Sequence, residues 1–349
     1  AMSDRWTIER VAGWQSETGW LVGCNFIPST AGNQLEMWQA ETFDPATIDC
    51  ELGWAADLGM NVIRVYLHDL VFTADGAGFL DRVDQVLAIA DAHGIAMIPV
   101  LFDGVWHPEP QLGRQPDPIP RLHNSIWLQS PGRVILDDRA RWPELGPYVC
   151  EVLSRFGDDH RIMAWDLFNE PDQIDRLTLR SGSRQGKADA ATALLDTVFD
   201  WARSVDPSQP LTAGVWEYGE DHAPIGNRLN ALILERSDIL SFHCYEPRVE
   251  LLAVIDALEV HQRPLLCTEW LARSSGSTVG LLEVFAGRGV GAINWGLVDG
   301  RTQTRFPWRS WLEPVDDDEP WFHELLHRDG SPYDPHEAAT FRRLTATGG

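Results

Sequence analysis

Ala164-Trp165-Asp166-Leu167-Phe168-Asn169-Glu170-Pro171 reads as an apolar strand that stops on two polar residues and a proline. The pattern returns in Leu265-Leu266-Cys267-Thr268-Glu269-Trp270. Both belong to a series of eight short apolar runs, at 21–27, 61–67, 95–102, 162–168, 210–215, 238–243, 264–268 and 291–297. Runs that are apolar throughout match strands buried on both faces, as parallel strands are. The segments between them carry helical spacing. Leu80, Val83, Val86, Leu87 and Ala90 form one stripe, and Leu251, Val254, Ile255 and Leu258 another. Asp44-Pro45 pairs a capping residue with proline at the first helical position. This α/β rhythm predicts one domain over 1–349, a closed (β/α)8 TIM barrel with residues 1–20 as a lead-in. A doubly wound sheet would want a glycine-rich phosphate turn after the first strand, and Cys24-Asn25-Phe26-Ile27-Pro28 is not one.

The longest interval falls between the third and fourth runs. It is filled by a stretch where Pro108, Pro110, Pro116, Pro118, Pro120 and Pro131 crowd together. Such a stretch can be neither helix nor inner strand. Residues 102–136 are therefore expected to form a long ordered loop on the rim at the carboxyl ends of the strands. It carries Trp106, His107, His123 and Trp127.

Composition narrows the partners. Acidic residues number 52 against 28 Lys plus Arg, a formal charge of −24. That excess repels phosphate backbones and anionic lipid, so neither nucleic acid nor a membrane is expected as a partner. No run approaches the ~18 apolar residues of a membrane span. Ala1-Met2-Ser3-Asp4-Arg5-Trp6 shows no basic segment leading into an apolar one, so a cytoplasmic location is expected. Among the five cysteines, Cys24, Cys244 and Cys267 lie in or beside strand-like runs and read as buried free thiols. The eleven histidines are scattered, and neither CxxC nor HExxH occurs, so no metal and no cofactor is expected. Sixteen tryptophans offer flat rings of the kind sugar faces stack on, besides serving as core residues.

In a barrel, active groups project from the carboxyl ends of strands. Glu170 and Glu269 each finish a strand on that face. A carboxylate after an apolar run is costly unless it is used or paired. Two carboxylates flanking one cleft are what glycosidic bond cleavage requires.

With these residues the chain resembles the clan A glycoside hydrolases, and is most similar to the family 5, cellulase-like group. The resemblance spans nearly the whole chain. Its marks are 165–171 and Glu269, Arg64 in Val62-Ile63-Arg64-Val65, His243-Cys244-Tyr245, and Trp295 in Ile293-Asn294-Trp295-Gly296. It implies a retaining double displacement without a cofactor, acting on β-linked carbohydrate. Glu269 would be the nucleophile and Glu170 the acid/base. Arg64 and Tyr245 would favour the charged form of Glu269. Asn169 would bond the sugar 2-hydroxyl, His243 would contact the substrate or orient Glu170, and Trp295 would floor the −1 sugar. One departure stands out: many members carry a histidine at the end of strand three, and Val100-Leu101-Phe102-Asp103-Gly104-Val105-Trp106-His107 has none there. His107 or Asp103 would fill that space.

Asn33-Gln34-Leu35-Glu36-Met37-Trp38 and Trp216-Glu217 are further expected sugar contacts. Long loops after strands three and eight, the latter with Arg301, Trp308 and Trp311, should narrow the cleft. Narrowing points to exo-action or short oligosaccharides. The alternatives are an endo-acting glycanase and a non-catalytic carbohydrate-binding barrel, and a binding module has no reason to keep both glutamates.

Overall fold

A computed structural model describes residues 4–174 and 184–346. Eight strands form one sheet: β1 Val22–Asn25, β2 Val62–Tyr66, β3 Ala96–Asp103, β4 Trp165–Asn169, β5 Leu211–Thr212, β6 Leu240–His243, β7 Leu265–Glu269 and β8 Gly291–Trp295. All the pairings between them are parallel, in the order β5-β4-β3-β2-β1-β8-β7-β6. The β5 and β6 edges meet through a parallel bridge between Val215 and Phe242, and Thr212 donates its hydroxyl to the Ile239 carbonyl. The chain is thus a single-domain (β/α)8 barrel. Each expected run holds the body of one strand, because a strand covered on both faces must be apolar on both, and β3, β4 and β7 each run one polar residue further.

Side chains two apart along a strand share a face. Those facing inward stack into layers. The lowest layer is apolar, with Val62, Ile98, Ala164, Ile239, Leu266 and Ile293 in one cluster. Trp6 and Val11 join it from below, since the helix Ile8–Thr18 lies across the amino ends of the strands. The lead-in is therefore a plug for the barrel floor. One step up, Arg64 and Asp166 replace aliphatic residues, and above them stand Tyr66 and the strand-end groups. Polarity thus rises toward the carboxyl end. Among the described residues no helix is long and apolar enough to cross a membrane. Cys24, Cys244 and Cys267 are buried free thiols.

The rim loop is narrower than 102–136. Strand β3 continues through Asp103, and Arg133–Leu136 forms a short helix. Ladder bonds to Ser130 hold Asp103 in the strand, which supplies the physical reason for the shift. Between them the proline-rich segment is sewn down at both sides. Asn33 donates to the Ile126 carbonyl and Gln34 to the Leu128 carbonyl, from the loop after β1. Trp311, from the loop after β8, donates to the His123 carbonyl.

Candidate active site

The carboxyl ends of the strands open into a cavity of about 700 Å³. Glu170 and Glu269 both line it, although each is buried. A β-bulge helps to assemble them. His243 pairs with Glu269 while Phe242 pairs with Cys267, so Thr268 is skipped and the histidine is re-aimed. His243 Nδ1 then lies 2.7 Å from Glu170 Oε1 and 3.5 Å from Glu269 Oε2. One ligand atom from each of the three residues falls within 4.8 Å of the other two.

The two carboxylates sit in opposite environments. Glu269 Oε1 accepts from Arg64 at 3.1 Å and from the Tyr66 hydroxyl at 2.9 Å, while Oε2 accepts from the Tyr245 hydroxyl at 2.7 Å. Burial would raise its pKa, but His243, Arg64 and the two hydroxyls hold it below the ordinary glutamate value. Among the described residues no arginine pairs with Glu170. Burial pushes its pKa up, and the charge of Glu269 adds to the rise against the pull of His243 and Gln173. Burial also works against protonated His243, yet Glu269 and Glu170 hold its pKa above the ordinary value. The 2.7 Å contact needs one proton in either assignment, so His243 and Glu170 titrate as a pair.

The backbone at Glu170 is unusual, with φ at +38°. Side chains other than glycine rarely occupy that region, and such strain persists where the surroundings over-determine it. Gly104 is one of those surroundings. A Cβ there would sit 2.1 Å from the Glu170 carbonyl oxygen.

The structure brings most of the expected residues to this cavity. Asn169, His243, Tyr245, Trp295, Trp106, His123, Trp127 and Trp216 all line it. Asn169 accepts from Arg64 at 2.8 Å and donates to Asp103 at 3.0 Å, which fixes its amide. Trp216 donates to Asp172. His123 donates to the Phe306 carbonyl through Nδ1, and burial lowers its pKa to about 4, so it stays neutral.

Two residues expected among the substrate contacts, Arg64 and His107, do not line the cavity, while Arg64 takes the role expected for it beside Glu269. Arg64 has no exposed surface and does not reach the cavity. Its guanidinium is consumed by Asp166, Asn25, Tyr66, Asn169 and Glu269, so it serves the carboxylate and not the substrate directly. His107 lies outside the cavity lining, with Nε2 bound to the Ser125 carbonyl as a brace within the rim loop. Asp103 occupies the end of strand three instead, accepting from Asn169 and from Trp127 at 2.6 Å. Burial raises its pKa to about 7. Residues 33–38 are also buried away from the cavity, and Arg301 pairs with Glu36 there.

Tyr66, Gln173, Tyr218 and His323 join the site without having been anticipated. Tyr66 was legible in principle, because it stands two residues beyond Arg64 on the same strand and so shares its face. His323 had no such signal, since it arrives from the far end of the loop after β8.

Glu170, His243 and Glu269 have the donor types of a metal site. Arg64 against Glu269 opposes a second cation, and the donors from Arg64, Tyr66 and Tyr245 already occupy both Glu269 oxygens.

Against this geometry, solved structures can be compared. A structure of beta-glucosidase 1317 superposes with a TM-score of 0.62 at 15% identity, covering 94% of this chain and 98% of that one. GH5_18 from Streptomyces cattleya, solved with GlcNAc, gives 0.61 at 14% identity, over 95% of this chain and 81% of that one. The exo-beta-1,4-mannosidase Op5Man5 from Opitutaceae bacterium strain TAV5 gives 0.62 at 17% identity, over 94% and 60%. The shared feature is the barrel. At these identities the likeness is one of fold. No family model matches the sequence, and no curated protein matches it.

Proposed function

We propose that this chain is a retaining β-glycoside hydrolase in which Glu269 attacks the anomeric carbon and Glu170 serves as acid and then base. The observation that carries the reading is the opposed pair of carboxylates, with an oxygen of each within 4.8 Å of the other. Retaining enzymes hold their carboxyl groups about 5–5.5 Å apart, and inverting ones about 6.5–9.5 Å, to leave room for water. A glutamate held ionised by an arginine and two hydroxyls suits a nucleophile. A glutamate raised by burial suits an acid, because it enters the reaction protonated. The change of role follows from the same charges. As Glu269 is esterified, Glu170 gives its proton to the departing alcohol; the ester no longer raises the pKa of Glu170, which stays ionised and can take a proton from the attacking water.

The substrate reading is a short β-linked glycoside cleaved from its end. The Trp106 and Trp311 rings stack at 5.1 Å and 9°, which joins the loops after β3 and β8 across the cavity mouth. A wall of that kind favours a pocket over an open groove. The barrels superposed above include one called a β-glucosidase and one called an exo-β-1,4-mannosidase, so β-glucosides and β-mannosides are the first substrates to try. Incubation with nitrophenyl β-glucoside and β-mannoside, followed by proton NMR, tests the reading. Release of sugar as the β-anomer first is expected. An α-anomer first, or no hydrolysis of any β-linked glycoside, would overturn it.

A further inference from the structure

Lys187 is the one lysine in a sequence with 28 basic side chains of the lysine and arginine type. It stands in the helix Arg184–Val205, is only 7% exposed, and does not line the cavity. Its ammonium donates to the Gly104 carbonyl at 2.6 Å and to the Gln173 carbonyl at 2.8 Å. These two carbonyls flank the turn on which Glu170 sits. Gly104 donates its own N–H to the Asn169 carbonyl at 2.8 Å. Gln173 donates its N–H to the Glu170 carbonyl at 3.0 Å and its side-chain amide to Glu170 Oε2 at 3.1 Å.

We propose that Lys187 is a positioning residue for Glu170, clamping the ends of the βα loops after β3 and β4 so that the left-handed Glu170 backbone keeps its carboxyl aimed at the glycosidic oxygen. The proposal rests on the reading of Glu170 as acid/base. A buried charge is costly unless it is well bonded, and here the ammonium is bonded to the backbone beside the strained residue. The residue type fits the task. A lysine ammonium is a compact donor on a flexible stem, whereas the planar arginine fork suits carboxylates and phosphates. In a chain that otherwise uses arginine throughout, the exception falls where two converging carbonyls must be gathered by one small cation.

The test uses the whole protein and aryl β-glycosides with good and poor leaving groups, 2,4-dinitrophenol and phenol. Acid assistance matters most for the poor one. Lys187→Met keeps the stem and removes the donors. It should lose roughly tenfold more kcat/KM on the phenyl glycoside than on the dinitrophenyl glycoside. A loosened turn also admits water to Glu170, so the basic limb of its pH profile should move to lower pH. An equal loss on both substrates with an unmoved basic limb would overturn the proposal, as would no loss. If Lys187→Met does not fold, Lys187→Arg carries the same comparison. Failure of both to fold would show that the lysine serves the barrel as a whole, which also overturns it. Glu170→Gln runs alongside as the reference. If that variant shows no leaving-group bias, the assignment of Glu170 falls and takes the lysine's role with it.

Discussion

Glu269 is kept ionised by several neighbours at once, and Tyr66 links the carboxylate to another of them, Arg64. Its hydroxyl accepts from Arg64 at 2.7 Å and donates to Glu269 at 2.9 Å. Burial keeps the Tyr66 pKa well above the ordinary tyrosine value, so it remains a donor. The ring packs edge-on against Trp127 and Trp295, and phenylalanine would preserve those contacts. Tyr66→Phe therefore removes one donor to the charged form and raises the pKa of Glu269. A nucleophile must be ionised, so the acid limb of kcat/KM should shift to higher pH, with activity above that limb reduced by roughly tenfold or less. An acid limb that stays in place would mean that Tyr66 does not tune Glu269. Arg64 pairs with carboxylates on two strands, Asp166 and Glu269, and its role in a linear sequence is ambiguous for that reason.

Among the elements, the rim loop shows how packing changes an expectation. Trp127 has the look of an exposed sugar platform in a proline-rich loop, from which its loss would touch kinetics alone. In the structure it is buried, donates to Asp103, and meets Tyr66 and Trp295 edge-on. It is at once cavity wall and core. Trp127→Ala should therefore lower the melting temperature as well as kcat/KM, with a stability loss of about 3–5 kcal/mol, as for other buried aromatics. An unchanged melting temperature would show that the loop is not anchored through this ring. The eight strands were readable because strands covered on both faces are apolar in unbroken runs. So were Asn169 and Glu170, where such a run stops. The loop's anchoring was not readable, because Asn33, Gln34 and Trp311 reach it from positions remote in sequence. The plug formed by residues 8–18 was equally hidden, since its apolar face is defined only by the open barrel end it covers.

For the molecule as a whole, barrel closure makes the site. Arg64, Asp166, His243 and Glu269 belong to four strands, with Glu170 one residue past the end of β4, yet all five share one network. The two glutamates were legible because each ends a strand, and the resemblance named Glu269 as the one held charged; the strand ends by themselves do not distinguish the pair. That difference comes from surroundings: Arg64, Tyr66 and Tyr245 hold Glu269 charged, whereas burial and the charge of Glu269 raise Glu170 against the pull of His243 and Gln173. The central claim is thus a division of labour between two carboxylates, and covalent trapping tests it most directly. The protein would be incubated with the 2,4-dinitrophenyl 2-deoxy-2-fluoro-β-glycoside of whichever sugar it hydrolyses, digested, and sequenced by mass spectrometry. One fluoroglycosyl group is expected, carried by Glu269. A label on Glu170, or hydrolysis of the parent glycoside with no covalent adduct and an α-configured first product, would contradict it.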